Sequence, residues 1–236
     1  MLNFEVYALQ NSTFFNIKIM NHLDIISKTI TFVKQQLANA EGGHDWFHIE
    51  RVYKNSLLIA QSENCDETVV KLGALLHDIA DSKFHNGDET IGPKVAKDFL
   101  EKEAVDDATI KHVLNIIENI SFKGGNFDKN FTSKELEIVQ DADRLDAIGA
   151  IGIARTFNYG GFKNRPLYNP TIAPNLHMTK EEYKSSEAPT LNHFYEKLLL
   201  LKEKMNTETG KQIAQERHHF METFLSQFYA EWDGEK

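Results

Sequence analysis

Residues 75–81 read Leu-Leu-His-Asp-Ile-Ala-Asp, and they place a histidine and two carboxylates at the end of an apolar segment. The segment has the spacing of a helix, because Leu72, Leu76 and Ile79 recur three or four positions apart. Burying a carboxylate among such side chains is costly unless a partner neutralises it, and one divalent cation can satisfy several such groups. The stretch therefore predicts a buried helix that contributes ligands to a metal ion.

Helical spacing of apolar residues continues on both sides of this stretch, and no segment shows sustained alternation bounded by turn residues. The longest irregular segment runs from Asn158 to Thr190 and holds Gly160, Gly161 and three prolines at positions 166, 170 and 174. The sequence therefore predicts an all-α fold, a single-domain helical bundle with a long loop before the C-terminal helices. The predicted helices cover residues 25–37, 47–59, 69–79, 89–102, 107–120, 133–157, 191–205 and 207–228.

Polar residues that can cap helices mark several of the predicted helix starts. Asp66 and Asp88 each precede an apolar helical pattern. Ser133, three positions before Leu136, has the arrangement of a capped N-terminus. Asp45 is interpreted as a further N-cap rather than as a catalytic group, because it stands just before a helical pattern.

The first 19 residues differ from the rest of the chain. They lack a basic start, a continuous apolar core and a small-residue cleavage site, so they do not predict a secretory signal. Residues 1–19 are therefore interpreted as an N-terminal arm, either without fixed structure or preceding a second start at Met20. Residues 20–236 are interpreted as the domain.

Composition excludes several classes of protein. The net charge of −9 argues against binding to duplex nucleic acid, which requires a large cationic face. A single cysteine, Cys65, forms no internal disulfide and predicts the reducing cytoplasm, and no apolar run approaches the length that spans a bilayer. These features predict a cytoplasmic protein that binds neither membrane nor duplex, and they leave a homodimer open.

Two further fragments combine with residues 75–81. They are Gly-His-Asp-Trp-Phe-His-Ile-Glu-Arg-Val (43–52) and Gln-Asp-Ala-Asp-Arg-Leu-Asp-Ala (140–147). A single His-Asp pair is weak evidence, but the order His-x-x-Arg-Val, His-Asp, Ala-Asp-x-Leu is far more specific. With this order the chain resembles the HD-domain superfamily of metal-dependent phosphohydrolases. It is most similar to a bacterial group of small HD hydrolases with nucleotide pyrophosphohydrolase-type activity, through residues 76–89 and 155–161.

The resemblance implies a helical HD-type bundle in which one divalent metal ion is bound. Manganese, magnesium, cobalt, nickel, iron or zinc would suit imidazole and carboxylate ligands, with manganese favoured. The metal is expected to polarise a phosphoryl oxygen and to acidify a water molecule, while Asp81 orients that water or transfers a proton as the catalytic residue. The implied metal ligands are His48, His77, Asp78 and Asp143.

The residues themselves leave an alternative to His48. His44 lies four positions earlier, so both imidazoles could face one metal from the same side of a helix. Gly42 and Gly43 would place His44 at a fraying helix start, however, and this favours His48.

Asp143 also has competitors, because Asp141 and Asp146 lie on the same predicted helix. These two residues occupy different faces of it. The alternative role of Asp141 is a buried hydrogen bond within the bundle, and that of Asp146 is an ion pair with Arg144 or Arg155.

The expected substrate is a small anion. The segment from Ala147 to Lys180 contains no acidic residue, so a small anionic ligand could bind there although the whole chain is acidic. Tyr159 could stack on a base or anchor the loop, and His193 and Lys197 share a helical face that suits phosphate or solvent. The predicted substrate-binding residues are Lys83, His85, Arg155, Tyr159, Lys163, Arg165, His193 and Lys197.

The resemblance favours cleavage of a nucleoside triphosphate or deoxynucleoside triphosphate to the monophosphate and pyrophosphate. A 5'-nucleotidase acting on monophosphates is the nearest alternative enzyme, since one metal and one phosphate-binding cluster would serve either reaction. A nucleotide-binding HD module without turnover is the alternative from a different class.

Overall fold

The computed structural model describes residues 24–38, 40, 45–79, 88, 90–120, 131–179, 182 and 185–236, and the predicted arm lies outside them. Throughout the described residues the regular secondary structure is helical and no strand occurs, which confirms the all-α prediction. No helix in this part of the chain has the length and apolar character that a membrane crossing requires. The helices are α1 (24–36), α2 (Trp46–Ala60), α3 (Glu67–Leu76), α4 (Ile91–Lys102), α5 (Asp107–Asn119), α6 (Lys134–Asp146), α7 (Gly149–Phe162), α8 (Asn192–Glu196) and α9 (Glu208–Trp232), with a 3-10 helix over Leu198–Lys204 between the last two.

Helix α3 lies at the centre of the core. It contacts α2, α5 and α6, and its residues Leu72, Leu75 and Leu76 are fully buried. Truncating one of these leucines to alanine would lower the free energy of unfolding by about 2–5 kcal/mol. Because α2 and α6 also pack on each other, the three helices that carry the sequence motifs form one packed unit.

Side-chain caps define the starts of several helices. Asp66 accepts hydrogen bonds from two backbone N–H groups of the first turn of α3, as predicted. Ser133 accepts from the Leu136 N–H at 3.1 Å at the start of α6, also as predicted. Asp88 differs from its prediction, because it accepts from the Thr90 N–H at 2.9 Å while Thr90 is the N-cap of α4.

The prediction of one helix over residues 133–157 is wrong, because two helices form there. Helix α6 ends at Asp146 and α7 begins at Gly149. Gly149 has a φ of 74°, a left-handed backbone conformation that residues other than glycine rarely adopt. A Cβ at this position would also lie 2.9 Å from the Arg217 Cγ. The apolar spacing runs through this break, so periodicity alone did not reveal it.

The predicted loop also begins later than expected, since α7 continues to Phe162. The two glycines that suggested a turn lie inside the helix. Gly160 allows close packing instead, because a Cβ there would lie 2.2 Å from the Thr190 Oγ1. A glycine selected for close approach cannot be distinguished in sequence from a glycine selected for a turn.

The predicted helix over 191–205 is divided as well. Helix α8 ends at Glu196, and Lys197 has a φ of −144° and a ψ of −57°, so the helix does not continue through it. The chain then forms the short 3-10 helix. Thr207 is the N-cap of α9, and its side chain accepts a hydrogen bond from the Gly210 N–H at 3.0 Å.

Candidate metal centre

His48 lies in the first turn of α2, where a local cap holds the backbone. The Asp45 side chain accepts a hydrogen bond from the His48 N–H at 3.0 Å, so Asp45 is the N-cap that the sequence predicted. The His48 side chain is buried, and its two ring nitrogens face different carboxylates. Nδ1 lies 2.7 Å from an Asp146 oxygen, and Nε2 lies 3.5 Å from an Asp143 oxygen. His44, the alternative to His48, lies outside the described residues.

His77 is the C-cap of α3, and Asp78 follows it in the turn after the helix. The His77 Nδ1–H donates to the Ala74 carbonyl at 2.9 Å and satisfies one of the free carbonyls at the end of α3. Because a carbonyl only accepts, Nδ1 carries the hydrogen and Nε2 keeps its lone pair. Burial lowers the pKa of His77, although the Asp143 carboxylate acts in the opposite direction, and the ring is therefore uncharged at neutral pH.

The free nitrogen of His77 belongs to a compact group of possible ligands. Its Nε2 is buried and has no hydrogen-bond partner among the described residues. One ligand atom each from His48, His77 and Asp78 lies within 4.8 Å of the others. Asp143 Oδ1 lies 3.5 Å from the His48 Nε2 and 3.9 Å from the His77 Nε2.

These separations fit a shared cation better than direct hydrogen bonds. Nitrogen and oxygen ligands at about 2.0–2.2 Å from one ion lie roughly 3–4.4 Å from each other. Hydrogen bonds are normally shorter than the two distances to Asp143. His48, His77, Asp78 and Asp143 could therefore hold one divalent ion.

The group is buried on one side and open on the other. Both imidazoles are buried, whereas Asp78 is only partly buried and the Asp143 side chain is 38% exposed. The imidazole nitrogens thus lie on the core side of the group, and the carboxylates lie towards solvent. A phosphate group could approach an ion here from the side of the carboxylates.

Asp146, the first competitor of Asp143, contacts the cluster without joining it. Its side chain is 1% exposed and accepts the His48 Nδ1–H together with two N–H groups of Arg51. Burial would raise the pKa of Asp146, but the hydrogen bonds from His48 and Arg51 and the charge of Arg155 hold it well below its usual range. Pairing with Arg155 was one predicted alternative. Arg51 was not assigned from the sequence, although its position three residues after His48 places both on one side of α2.

Asp141, the second competitor, faces the start of α9. It is fully buried and accepts from the backbone N–H groups of Asn206 at 2.9 Å and Thr207 at 2.7 Å, and from the Thr207 hydroxyl at 2.8 Å. Arg144 contacts Asp141 at 3.3 Å and a backbone carbonyl at 2.6 Å, so it is engaged here and not with Asp146. Asp141 thus has the buried hydrogen bonds that the alternative interpretation expected.

The predicted catalytic residue and two predicted substrate-binding residues cannot be placed, because Asp81, Lys83 and His85 lie outside the described residues. Arg155 contacts Asp146, the aspartate that is bonded to the candidate ligand His48. Its Nη1 donates to the Asp146 carboxylate and, at 3.1 Å, to the Asp146 backbone carbonyl. Arg155 therefore holds Asp146, and Asp146 in turn holds His48.

The remaining predicted binding residues gather around the end of α7. Tyr159 is half-exposed, with the Lys163 Nζ 5.7 Å and the Arg165 guanidinium carbon 5.6 Å from its ring centre. Burial, together with the charges of Lys197 and Arg165, lowers the pKa of His193 to about 4. His193 is therefore uncharged at neutral pH, and the five residues form one cationic and aromatic neighbourhood.

Sequence comparison relates this chain to known proteins. The HD-domain family model matches residues 46–148, which include all four predicted metal ligands. The uncharacterised protein YpgQ of Bacillus subtilis is 36% identical over 211 residues, covering 88% of this chain and 94% of YpgQ.

Solved structures show the same architecture. An HD-superfamily hydrolase from Bacillus thuringiensis has a TM-score of 0.73 at 46% identity, covering 90% of this chain and 98% of that one. Bacillus subtilis YpgQ in complex with ADP has a TM-score of 0.71 at 32% identity in the structural alignment, covering 89% of this chain and 96% of that one.

Proposed function

Because the chain belongs to the HD-domain family and is a metal-dependent phosphohydrolase, we propose that it cleaves a nucleoside triphosphate, or its deoxy form, to the monophosphate and pyrophosphate. The observation that carries the proposal is the buried His77 Nε2 lone pair, within 4.8 Å of ligand atoms from His48 and Asp78. A buried polar atom is costly unless it binds a partner, and a divalent cation is a partner that the neighbouring carboxylates can share. The ADP bound to YpgQ supports a nucleotide as the ligand.

In this proposal His48, His77, Asp78 and Asp143 hold one divalent ion, and Mn²⁺ is the first candidate. Four protein ligands leave positions free on a six-coordinate ion for water or substrate. When bound, the ion would polarise a phosphoryl oxygen and make a water molecule more acidic. We propose that the substrate enters from the side of the Asp143 side chain, because that side chain is partly exposed.

Asp81 is the proposed proton carrier, because it follows Asp78 by three positions in the sequence. Asp81→Asn is expected to retain the metal and to slow turnover, since an amide can neither accept nor release the proton. Metal content and turnover number, measured on the same preparation, separate this role from a role in metal binding.

The residues along helix α7 favour a ligand longer than a single phosphate. Arg155 and Tyr159 lie four residues apart on one side of it, and Lys163, four residues further, is its C-cap, so the row extends about 12 Å from its first to its last Cα. Arg155 bonds Asp146 beside the metal-ligand group, whereas Tyr159 and Lys163 lie towards the loop. Tyr159 is the proposed stacking surface for the base, and the phosphates are the proposed partners of Lys83, His85, Lys163, Arg165, His193 and Lys197.

Product analysis tests the proposed reaction. Protein loaded with Mn²⁺ is incubated with ribonucleoside and deoxyribonucleoside triphosphates and with the corresponding monophosphates, and pyrophosphate and inorganic phosphate are quantified separately. We expect pyrophosphate and monophosphate from the triphosphates. Asp78→Ala, which removes one proposed ligand, controls for contaminating phosphatases.

Two outcomes would replace the proposal. Inorganic phosphate released from monophosphates, with no pyrophosphate from triphosphates, would support the 5'-nucleotidase. Tight nucleotide binding without any product across several divalent metals would support the nucleotide-binding module.

A further inference from the structure

Asp146 accepts hydrogen bonds from three side chains although its own side chain is 1% exposed. His48 donates from Nδ1 to Oδ2 at 2.7 Å. Arg51 donates from Nε to Oδ1 at 2.5 Å and from Nη2 to Oδ2 at 3.0 Å. Arg155 donates from Nη1 to Oδ2 and to the Asp146 backbone carbonyl. Two guanidinium groups therefore neutralise one buried carboxylate, and that carboxylate is bonded to a proposed metal ligand.

The carboxylate determines how His48 presents its other nitrogen. An ionised carboxylate only accepts hydrogen bonds, so the Nδ1 of His48 carries a hydrogen, and Nε2 is the ring nitrogen that can offer a lone pair to a metal. That Nε2 lies 3.5 Å from Asp143 Oδ1, on the side of the metal-ligand group. Hydrogen bonds of this kind fix the tautomer and orientation of histidine ligands in metal sites.

Arg155 has a particular place in this arrangement, because it reaches the carboxylate from a different helix and also bonds the Asp146 backbone. Arg51 bridges both carboxylate oxygens from α2, the helix that also carries His48. Arg155 reaches Oδ2 from α7 and holds the Asp146 backbone at the same time. Without Arg155, Arg51 would be the one guanidinium among the described residues still hydrogen-bonded to the carboxylate, and the hydrogen bonds that tie Asp146 to α7 would be lost.

We propose that Arg155 is a positioning residue, which fixes the Asp146 carboxylate and thereby aims the His48 Nε2 at the metal. The proposal rests on the metal centre of the proposed function. It gives Arg155 a role different from the substrate contact that the sequence predicted. Arg51 acts on the same carboxylate from α2, and the two arginines enclose it from two helices.

Metal affinity in the absence of substrate tests this role. Mn²⁺ is titrated by calorimetry into full-length protein that has been freed of metal with a chelator. Arg155→Met, which keeps an extended apolar stem but removes the donors, is expected to raise the Kd for Mn²⁺ by about 10–100-fold. Arg155→Lys, which keeps the charge near Oδ2, is expected to raise it less.

Arg217→Met is the matched control, because Arg217 acts on Asp146 through its charge while its hydrogen bonds go to other residues, so the pair separates loss of charge from loss of hydrogen bonds to the carboxylate. Arg217 also donates to the last turn of α6, to the Leu145 carbonyl at 2.5 Å, and its other hydrogen bond goes to Asn55 at 3.2 Å. Its loss should lower the thermal unfolding temperature without changing the Kd for Mn²⁺. A merely structural role of Arg155 would give the same result as Arg217.

The outcomes separate this proposal from the proposed function. If Arg155→Met bound Mn²⁺ with the Kd of the wild-type protein and showed only a raised KM for the nucleotide, the positioning role would be overturned and substrate contact favoured. A wild-type protein that binds no Mn²⁺ would instead overturn the metal centre itself. Weaker Mn²⁺ binding in Arg155→Met, in a protein that hydrolyses no nucleotide, would support the positioning role while contradicting the proposed reaction.

Discussion

At the scale of single residues, the two imidazoles of the cluster are oriented by different partners. The His77 Nδ1–H donates to a neutral backbone carbonyl, whereas the His48 Nδ1–H donates to the Asp146 carboxylate. A carboxylate partner makes an imidazole more basic and a stronger ligand than a carbonyl partner does. The two histidines are therefore not equivalent as ligands in the proposed site.

Two aspartates of α6 are expected to respond oppositely to truncation. Asp143→Ala should remove metal binding and leave the stability of the metal-free protein almost unchanged, because Asp143 is partly exposed. Asp141→Ala should retain the metal but lower the free energy of unfolding by about 3 kcal/mol, because the buried N–H groups of Asn206 and Thr207 lose their acceptor. Elemental analysis and urea unfolding of both variants check this. Loss of metal from Asp141→Ala alone would contradict the choice of Asp143.

His193 is expected to make the protein less stable in acid. Its pKa falls from 6.5 to about 4 in the folded protein, because burial and two neighbouring cations disfavour its charged form. Between these values the unfolded chain binds a proton that the folded protein excludes, so stability falls as the pH falls, by at most about 1.4 kcal/mol per pH unit. Urea unfolding of metal-free protein between about pH 7.5 and about pH 4 measures the effect, with His193→Asn as the comparison. Identical pH profiles for the two proteins would exclude it.

At the scale of the helices, the break between α6 and α7 makes the pairing of Arg155 with Asp146 possible. These residues are nine positions apart, and in one continuous helix they would be separated by about 13.5 Å along the axis. The turn at Gly149, with its φ of 74°, redirects α7 so that Arg155 returns to the end of α6. The break therefore sets the direction of α7, and through it the position of Arg155 beside the aspartate that holds His48.

The adjacent glycines of α7 provide a matched pair. Gly160→Ala is expected to lower the free energy of unfolding by about 1–3 kcal/mol, because the new Cβ would overlap the Thr190 side chain. Gly161→Ala should be neutral or stabilise by up to about 1 kcal/mol, because its Cβ meets nothing within 4 Å and alanine favours the helix. Chemical unfolding of the two variants decides, and equal effects would contradict the close packing of α7 on Thr190.

At the scale of the whole molecule, the proposed ion would link α2, the turn after α3, and α6. These helices already pack on one another around the buried side of α3. An ion held by side chains from all three binds the folded protein and not the unfolded chain, so its binding energy adds to the stability of the fold.

Metal is therefore expected to raise the thermal unfolding temperature. Free Mn²⁺ at a hundredfold excess over its Kd should contribute about 2.7 kcal/mol. Differential scanning calorimetry with Mn²⁺ and with a chelator measures the shift. Asp78→Ala should show none, and Asp98→Ala, which changes an exposed aspartate of α4, should show the full shift. A shift of equal size in Asp78→Ala would place the stabilising ion elsewhere.

Much of the helical architecture was predictable, because apolar spacing along a segment depends only on that segment. The family resemblance of the three ordered motifs implied the four candidate ligands, and their side chains lie close together in the structure. Capping by Asp45, Asp66 and Ser133 was predictable for the same local reason. The division of residues 133–157 and 191–205 into separate helices was not, since the periodicity passes through both breaks.

The sequence by itself determined where most helices form and which histidines and aspartates are available to a metal. The tertiary structure alone decided that Asp146 is bonded to His48 and enclosed by Arg51 and Arg155, and that Gly160 packs against Thr190. The physical reason is distance along the chain. Hydrogen bonds and close packing between segments depend on positions that exist only after the helices have packed, whereas periodicity and capping act within a few residues.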